Sequence, residues 1–399
     1  MKLFKYIFRF YLAVTLLILT TFNFTALTAS AQTADSTMSI SLLTCSPGEE
    51  VWAQYGHTAI RVSMPAQGID YVFNYGMFSS RQPWFIARFV LGLTDYKVAA
   101  TTFNEFLEEY SYEGRGVKEQ VLNISEEDKI AIIRALFENI KPENQTYRYN
   151  FFFDNCTSRA RDVIVGHLNG KITYESSSSD ADNMSDLSFR DLIHEWNNNF
   201  PWTQTGEDIL LGIEADRNTT RDERQFLPDN LRRDFDKASY CGHPLVKESC
   251  TLLEAPTKTA EKDFPLSPIS CGILLLAVSA TIAAGEWKRK KFCWQWDALL
   301  MAVVGIVGLI PTIMIFSEHP CVRINLLILI INPLPLFMVW KVTKCTRNKL
   351  TCRWWKIWEV LLIGGLIGGF FQHEPWLMTF VALSLLIRTQ LHISKDNRW

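Results

Sequence analysis

The chain has 399 residues, of which 48% are hydrophobic, and its formal net charge at pH 7 is −2. The length allows two domains, and the near-neutral charge gives no electrostatic reason to expect a nucleic-acid partner. The composition is uneven, because residues 32–265 have an ordinary soluble composition whereas residues 266–393 are dominated by Leu, Ile, Val, Trp and Phe. The two parts are therefore expected to face different solvents.

The N-terminus has the pattern of a secretory signal peptide. Three basic residues within the first nine precede an apolar run over residues 10–27, and Ala29-Ser30-Ala31 follows it. This predicts a signal peptide over residues 1–31 with cleavage after Ala31, and an uncleaved signal anchor is the alternative. In both cases residue 32 emerges on the outer side of the membrane.

The exported part, residues 32–265, opens with a predicted strand at residues 39–43 and then a predicted hairpin. Residues 56–62 alternate like a strand that has His57 near its start, and residues 70–75 alternate again after a loop with Pro65 and Gly68. Counting outward from the loop centre brings Asn74 and Tyr75 across from His57, within reach of cross-strand neighbours. A register shift of one residue decides which of the two faces the histidine.

A second informative segment follows a predicted strand over residues 115–124, a helix over Glu126–Asn139 capped by Ser125, and an extended aromatic stretch at residues 147–153. There Asp154 or Asn155 is a natural helix N-cap. Cys156 then falls in the first turn of a helix whose apolar positions, which are Ala160, Val163, Ile164 and Leu168, face a core.

This placement gives Cys156 the features of a nucleophile. The positive end of a helix dipole and free backbone N–H groups favour the thiolate, and the same N–H groups can form an oxyanion hole. His57 would act as the general base and acid, with Asn74 orienting its ring. A buried core cysteine, or a disulfide partner of Cys45, is an equally weighted alternative on these residues alone.

The other cysteines predict little chemistry. The nine cysteines include no Cys-x-x-Cys pair, so no structural metal is expected. Cys241 and Cys250 are spaced for a small disulfide loop in an oxidising compartment. Cys45 is either a core residue or a site member near His57, and the core is favoured. The Ser/Asp-rich residues 176–186 predict a flexible surface loop.

Residues 266–393 contain five apolar stretches, each close in length to a membrane span, and residues 394–399 form a tail. The stretches are 269–285, 297–316, 322–340, 357–371 and 376–393. Residues 287–291 and 341–356 are basic loops and therefore cytoplasmic, which puts the turns with Glu318-His319 and His373-Glu374 outside and the C-terminus in the cytoplasm. For these turns lipid-headgroup contact is favoured over catalysis, and Gly364, Gly365, Gly368 and Gly369 predict close helix packing.

The order of these features resembles the circularly permuted branch of the papain-like NlpC/P60 superfamily, in which the histidine precedes the cysteine. More specifically, residues 42–49, 55–62, 73–76 and 149–157 resemble the Lnb-type lipoprotein N-acyltransferases, and the most specific motifs are Gly56-His57-Thr58-Ala59 and Asp154-Asn155-Cys156-Thr157. The resemblance implies an α+β exported domain of permuted papain-like fold, followed by an all-α transmembrane bundle of about five helices in the inner membrane.

The resemblance also implies a reaction without a cofactor, in which Cys156 takes an acyl chain from a membrane phospholipid. A diacylated lipoprotein would then accept that chain on its N-terminal amine. Contacts to substrate are predicted for Asn155, Tyr75, Arg115 and Arg159, and the arginines, like Arg61, have structural roles as an equal alternative. The same residues also fit an envelope cysteine hydrolase, either a phospholipase or thioesterase or a peptidoglycan amidase. A non-enzymatic envelope sensor or scaffold is the third hypothesis.

Overall fold

The computed structural model describes residues 38–79, 81–174, 186–255 and 264–394. The predicted signal peptide, most of the Ser/Asp-rich loop and most of the C-terminal tail lie outside these ranges. The strands are β1 (Ser39–Cys45), β2 (His57–Met64), β3 (Ile69–Met77), β4 (Asp95–Thr102), β5 (Val117–Leu122), β6 (Thr146–Arg148), β7 (Ile172–Tyr174), β8 (Ala238–Tyr240), β9 (His243–Pro244) and β10 (Val246–Leu253).

Helices cover both faces of the N-terminal sheet and form the whole C-terminal part. They are α1 (Phe85–Val90), α2 (Phe103–Tyr112), α3 (Glu126–Asn139), α4 (Cys156–Gly166), α5 (Phe189–Asn197), α6 (Pro201–Leu210), α7 (Arg221–Arg224), α8 (Pro228–Asp236), α9 (Pro268–Arg289), α10 (Trp294–Val307), α11 (Leu309–Met314), α12 (Pro320–Arg323), α13 (Leu334–Arg347), α14 (Trp354–Gly368) and α15 (Trp376–Ser394). The predicted α+β domain followed by a helical domain is confirmed.

The central sheet has seven antiparallel strands in the order β10-β5-β1-β2-β3-β4-β6. The predicted hairpin is β2 and β3, and its turn closes at Gly68, whose φ of 65° is left-handed and favours glycine. Ala59 pairs with Asn74, so Asn74 is the diagonal neighbour of His57 on the same face of the sheet. Tyr75 turns to the opposite face, which settles the register that the sequence left open.

Each face of the sheet has its own core. On one side α2 places Phe106 and Tyr110 against Ala59 and Val72. On the other side the core contains apolar residues of β2, β3, α3, α4 and α8, among them Ile60, Phe73, Tyr75, Ala160 and Leu231. The helix predicted over Glu126–Asn139 has the predicted bounds, and Ser125 caps it by accepting from the Asp128 amide. Because α4 packs on this second face, its first turn meets the starting end of β2.

Four helical segments in the described chain are long and apolar enough to cross a membrane, where five were predicted. They are Pro268–Arg289, Trp294–Met314, Pro320–Arg347 and Trp376–Ser394. The remaining predicted stretch forms α14, whose 15 residues are fewer than a full span needs, but α14 still connects the basic residues 341–356 at one end of the helical domain to the turn with His373 at the other end. The predicted close packing is present at Gly365, where a Cβ would lie 2.4 Å from the Ile330 Cγ1 atom, but not at Gly364, where a Cβ would make only an ordinary contact.

The N-terminal domain contacts one end of the helical domain through main-chain and charged groups. The Gly212 amide donates to the Cys321 carbonyl at 2.7 Å and the Ile213 amide to the Ile324 carbonyl at 2.9 Å. Asp208 lies between Arg190, His194 and His373, with a 3.5 Å contact from its Oδ2 to the His373 Nε2. The turn with His373 therefore contacts the N-terminal domain, and the predicted contact with lipid headgroups stays a prediction.

Candidate active site

Cys156 is the first residue of α4, and Asn155 rather than Asp154 caps that helix. The Asn155 Oδ1 accepts from the amides of Thr157 and Ser158, both at 2.9 Å, while the Asn155 amide donates to the Ser158 hydroxyl. The Asn155 Nδ2 donates to the carbonyls of Phe151 and Phe226 at 3.0 and 2.9 Å. Every polar group of the Asn155 side chain is engaged in this way. Asn155 therefore stabilises the helix start and has no side-chain group left for the predicted contact with substrate.

The fold brings His57 to this helix start. His57 and Cys156 lie close enough for each to shift the pKa of the other, and the Thr58 backbone also lies near the Cys156 sulfur. The hydroxyls of Thr58 and Thr157 are 3.1 Å apart and join β2 to α4. Gly76 allows the close approach of β3, because its φ is 86° and a Cβ there would lie 3.4 Å from the Cys156 Cβ. The predicted nucleophile and base are therefore neighbours in the structure.

Asn74 completes the constellation. Its Oδ1 lies 3.2 Å from the His57 Nε2, so the ring donates from that nitrogen and Nδ1 is left to exchange a proton with the thiol. The other side of the ring lies against Tyr110, at a centroid distance of 6.5 Å. All three residues predicted for catalysis thus lie together, in the order thiol, imidazole and amide.

The environment favours an ionised pair. Burial alone would raise the pKa of Cys156, but the charge of His57 and hydrogen bonds from His57, Thr58 and Thr157 outweigh it and lower the pKa to about 7. Burial and the repulsion from Arg115 both lower the pKa of His57, and burial has the larger effect. The interactions with Cys156 and the hydrogen bond with Asn74 outweigh them, so the pKa lies above its usual value. The thiolate is therefore accessible near neutral pH.

The predicted oxyanion hole needs a correction. The amides of Thr157 and Ser158 already donate to Asn155, so they are not free for a substrate oxygen. Only the amide of Cys156 itself, among these first-turn amides, has no hydrogen-bond partner in the described part of the chain. It is the backbone donor of this turn that can meet a developing oxyanion.

Cys45 is the direct cross-strand partner of His57, but its thiol belongs to the core. It is 2% exposed, and burial raises its pKa to about 12, so it stays protonated and unreactive. The disulfide predicted between Cys241 and Cys250 is wrong in this structure, where both are free thiols. Cys241 lies in a left-handed turn after β8, whereas Cys250 is paired opposite Glu119 in the other sheet.

The remaining predicted substrate contacts are occupied by protein groups. Tyr75 is 1% exposed and its hydroxyl accepts from the Asn139 Nδ2 at 2.8 Å. Arg115 donates to the Ser46 carbonyl and to Glu113, and Arg159 pairs with Asp154 over the Tyr147 ring. Arg61 likewise pairs with Asp70 and Glu119. These contacts give all four residues structural partners, but the buried Arg115 Nη2 has no hydrogen-bond partner in the described part of the chain, so the predicted substrate contact of Arg115 stays a prediction.

An aromatic cluster beside the thiol was not anticipated. Tyr96, Tyr147 and Tyr149 all lie close enough to interact electrostatically with Cys156. Tyr96 stacks on Tyr149 at 4.0 Å and on Phe78 at 4.8 Å, and Phe78 in turn stacks on Phe85 of α1. The sequence signal was the aromatic density of residues 147–153, whereas Phe78 and Tyr96 join it only through the folding of β3 and β4.

Helix α1 links this aromatic cluster to the membrane side of the molecule. The Glu318 amide, between two spanning segments, donates to the Leu91 carbonyl at 2.9 Å, and Phe89 contacts the buried His319. Trp84 and Ile86 are 82% and 78% exposed. Exposed apolar side chains at the end of a membrane bundle are typical of contact with the lipid interface.

Two family models match the chain. Residues 25–194 match the model described as the Lnb N-terminal periplasmic domain, and residues 259–398 match the one described as the Lnb transmembrane domain. No curated protein and no solved structure matches the chain.

Proposed function

Because both of its parts match Lnb models, this membrane protein with a periplasmic N-terminal domain belongs to the Lnb family, and from that premise we propose that it is a lipoprotein N-acyltransferase. It would transfer a fatty acyl chain from a membrane phospholipid to the free α-amine of the diacylglyceryl-cysteine that begins a lipoprotein. The observation that carries the proposal is the contact of Cys156, at a helix start, with His57, which Asn74 in turn orients.

The reaction has two halves that share one cysteine thioester. The Cys156 thiolate attacks the ester carbonyl of the phospholipid, and the lysophospholipid oxygen leaves with a proton from His57. The acceptor amine then attacks the thioester carbonyl, His57 takes the proton of the amine, and the thiolate is expelled. The Cys156 amide would stabilise the oxyanion in both halves.

The surroundings of the thiol support a lipid donor. The stacked rings of Phe78, Tyr96 and Tyr149 form an aromatic wall, of which Tyr96 and Tyr149 lie near Cys156, and α1 extends that wall towards the exposed Trp84 and Ile86. An acyl chain can follow such a wall from the outer leaflet to the nucleophile without crossing water. A site screened in this way also limits hydrolysis of the thioester.

The topology that we propose places the protein in the inner membrane with its C-terminus in the cytoplasm. The basic residues 287–291 and 341–356 lie at the ends of α9 and α13 remote from the N-terminal domain. Basic loops are retained in the cytoplasm, so the N-terminal domain and the Cys156 site would face the periplasm.

A hydrolase with the same residues is the second candidate, because water can replace the amine in the second half of the reaction. The aromatic wall favours a phospholipase or thioesterase over a peptidoglycan amidase, whose substrate needs an open polar groove. The third hypothesis is a sensor or scaffold, and it does not explain why the environment of Cys156 favours a reactive thiolate. The acyl acceptor separates the first two candidates.

The experiment is mass spectrometry of the N-terminal peptide of a resident lipoprotein, in cells that lack the native protein and carry one of three versions. Wild type and the matched control Cys241→Ala, an exposed thiol elsewhere in the domain, are expected to give three acyl chains. Cys156→Ala is expected to give two. An acyl count that does not depend on the protein at all would sink the N-acyltransferase and leave the hydrolase.

A second measurement tests the intermediate. In a rapidly quenched reaction with phospholipid, Cys156 is expected to carry an acyl group that hydroxylamine removes. If no such adduct forms while the acyl transfer proceeds, the covalent route through Cys156 is wrong.

A further inference from the structure

A basic cavity lies at the end of the helical domain that is remote from the N-terminal domain. It has a volume of about 600 Å³ and its lining includes no carboxylate side chain. Six cationic residues line it, which are Arg289, Lys290, Lys291, Arg347, Lys349 and Lys356. None of the six pairs with a carboxylate within the described part of the chain. No carboxylate of the described residues therefore neutralises these charges.

Two of these lysines occupy backbone positions where glycine would be more stable. Lys290 ends α9 with a φ of 54°, and Lys349 follows α13 with a φ of 58°. The left-handed conformation after a helix usually belongs to glycine, because the Cβ of any other residue is destabilised there. The backbone of these two turns does not favour lysine, which points to a role for the two lysine side chains in the cavity.

The floor of the cavity is a rigid polar network. His392 is stacked between the rings of Phe292 and Trp355, each at a centroid distance of 4.0 Å. Its Nε2 lies 2.9 Å from the Asp297 Oδ2, and the Asp297 Oδ1 accepts from the Arg388 Nε at 2.8 Å.

Arg388 continues the network by pairing with Glu286 of α9. Glu286 and Asp297, the two carboxylates of the network, thus pair with Arg388 and His392 and do not neutralise the six cationic residues that line the cavity. The same contacts join α9, α10 and α15, so they fix the helix ends from which several of the cationic residues converge.

We propose that this cavity binds the phosphate of an anionic phospholipid in the leaflet opposite the N-terminal domain. Converging lysines and arginines recognise a phosphate, and the Phe292 and Trp355 rings provide the amphipathic wall that suits a headgroup at the membrane boundary. Free phosphate shares the charge but not the glycerol backbone and chains. The site is separate from Cys156, because the 22 residues of α9 alone span about 33 Å.

The test measures thermal unfolding of the purified full chain in zwitterionic detergent during titration with phosphatidylglycerol, phosphatidylcholine or inorganic phosphate. Phosphatidylglycerol is expected to raise the unfolding temperature saturably, and the other two are not. Lys290→Gly together with Lys349→Gly is expected to unfold at the same or a higher temperature without lipid, because glycine suits both turns. The same variant should bind phosphatidylglycerol at least about tenfold more weakly.

The matched control, Lys288→Gln with Lys344→Gln, removes two charges from the same helix ends outside the cavity lining and should keep the wild-type affinity. Equal loss of affinity in both variants would reduce the effect to general surface charge and overturn the site. Equal shifts with phosphate and with phosphatidylglycerol would overturn the lipid as its ligand. Neither result bears on acyl transfer at Cys156.

Discussion

The His57 Nε2 donates to the Asn74 Oδ1 at 3.2 Å, although the two residues lie on different strands and 17 positions apart. This contact occupies one ring nitrogen and leaves the other for proton exchange with Cys156, and it contributes to the raised pKa of His57. Asn74 is therefore a positioning residue, whose loss should affect catalysis through the histidine.

We expect Asn74→Ala to lower kcat by roughly tenfold to a hundredfold, because the imidazole is no longer held in line with the thiol. The loss of the hydrogen bond should lower the pKa of His57 and move the alkaline limb of the pH–rate profile to lower pH, whereas Asn74→Asp should move it to higher pH. Asn123→Ala, which removes a surface contact with His243, is the control. Unchanged profiles in both Asn74 variants would contradict the positioning role.

The pKa of about 7 predicts how Cys156 reacts with a small alkylating agent. Its alkylation rate should rise with pH and reach half its maximum near that value, because only the thiolate reacts. His57→Ala should shift the midpoint to higher pH, since burial then acts without the opposing charge. Peptide mass spectrometry follows each thiol separately, and Cys45, with a pKa near 12, should stay unmodified throughout. Equal midpoints in wild type and His57→Ala would refute the ion pair.

Asp208 joins the two domains through a nearly buried charge cluster. Its side chain is 5% exposed and that of Arg190 is 2% exposed. Burial alone would raise the pKa of Asp208, but hydrogen bonds from His194, His373 and Arg190 hold it well below its usual value. A carboxyl with a depressed pKa stabilises the fold above its unfolded pKa of about 4, so the contribution is expected across pH 5 to 8.

We expect Asp208→Asn to lower the free energy of unfolding by about 2–3 kcal/mol, because Arg190 is left with Asp216 as its one carboxylate partner among the described residues and the charged hydrogen bonds to Asp208 are weakened in a largely buried site. Asp70→Asn removes a carboxylate that is 39% exposed from Arg61 and should cost about 1 kcal/mol or less. Denaturant unfolding of the full chain compares the two. Equal losses would show that the Asp208 cluster does not hold the domains together.

The glycines of α14 give a prediction within the membrane domain. A Cβ at Gly365 would lie 2.4 Å from the buried Ile330 Cγ1, whereas a Cβ at Gly364 would lie 3.6 Å from Leu329 Cδ1, an ordinary contact. Gly365→Ala should therefore destabilise the protein by about 1–3 kcal/mol, and Gly364→Ala should be neutral or stabilising because alanine favours the helix. Thermal unfolding in detergent tests the pair, and a reversed order would mean that α14 packs through another face.

Much of this architecture follows from the sequence alone, because its signals are local. Apolar length and basic loops predict a helical membrane domain, two-residue alternation predicts the β2–β3 hairpin, and Ser125 predicts the start of α3. The same local logic put Cys156 in the first turn of a helix. Motif residues, together with the resemblance, supplied His57 and Asn74 as its partners.

Only the tertiary structure decides what depends on contacts between distant segments. The β2–β3 register puts Asn74 and not Tyr75 on the face of His57, and Asn155 occupies amides that a bare helix start would leave free. Tyr96 comes near the thiol with Phe78 stacked on its ring, and six cations converge on one cavity, because separate elements pack side by side. Sequence spacing fixes which residues share an element, but packing fixes which elements share a site.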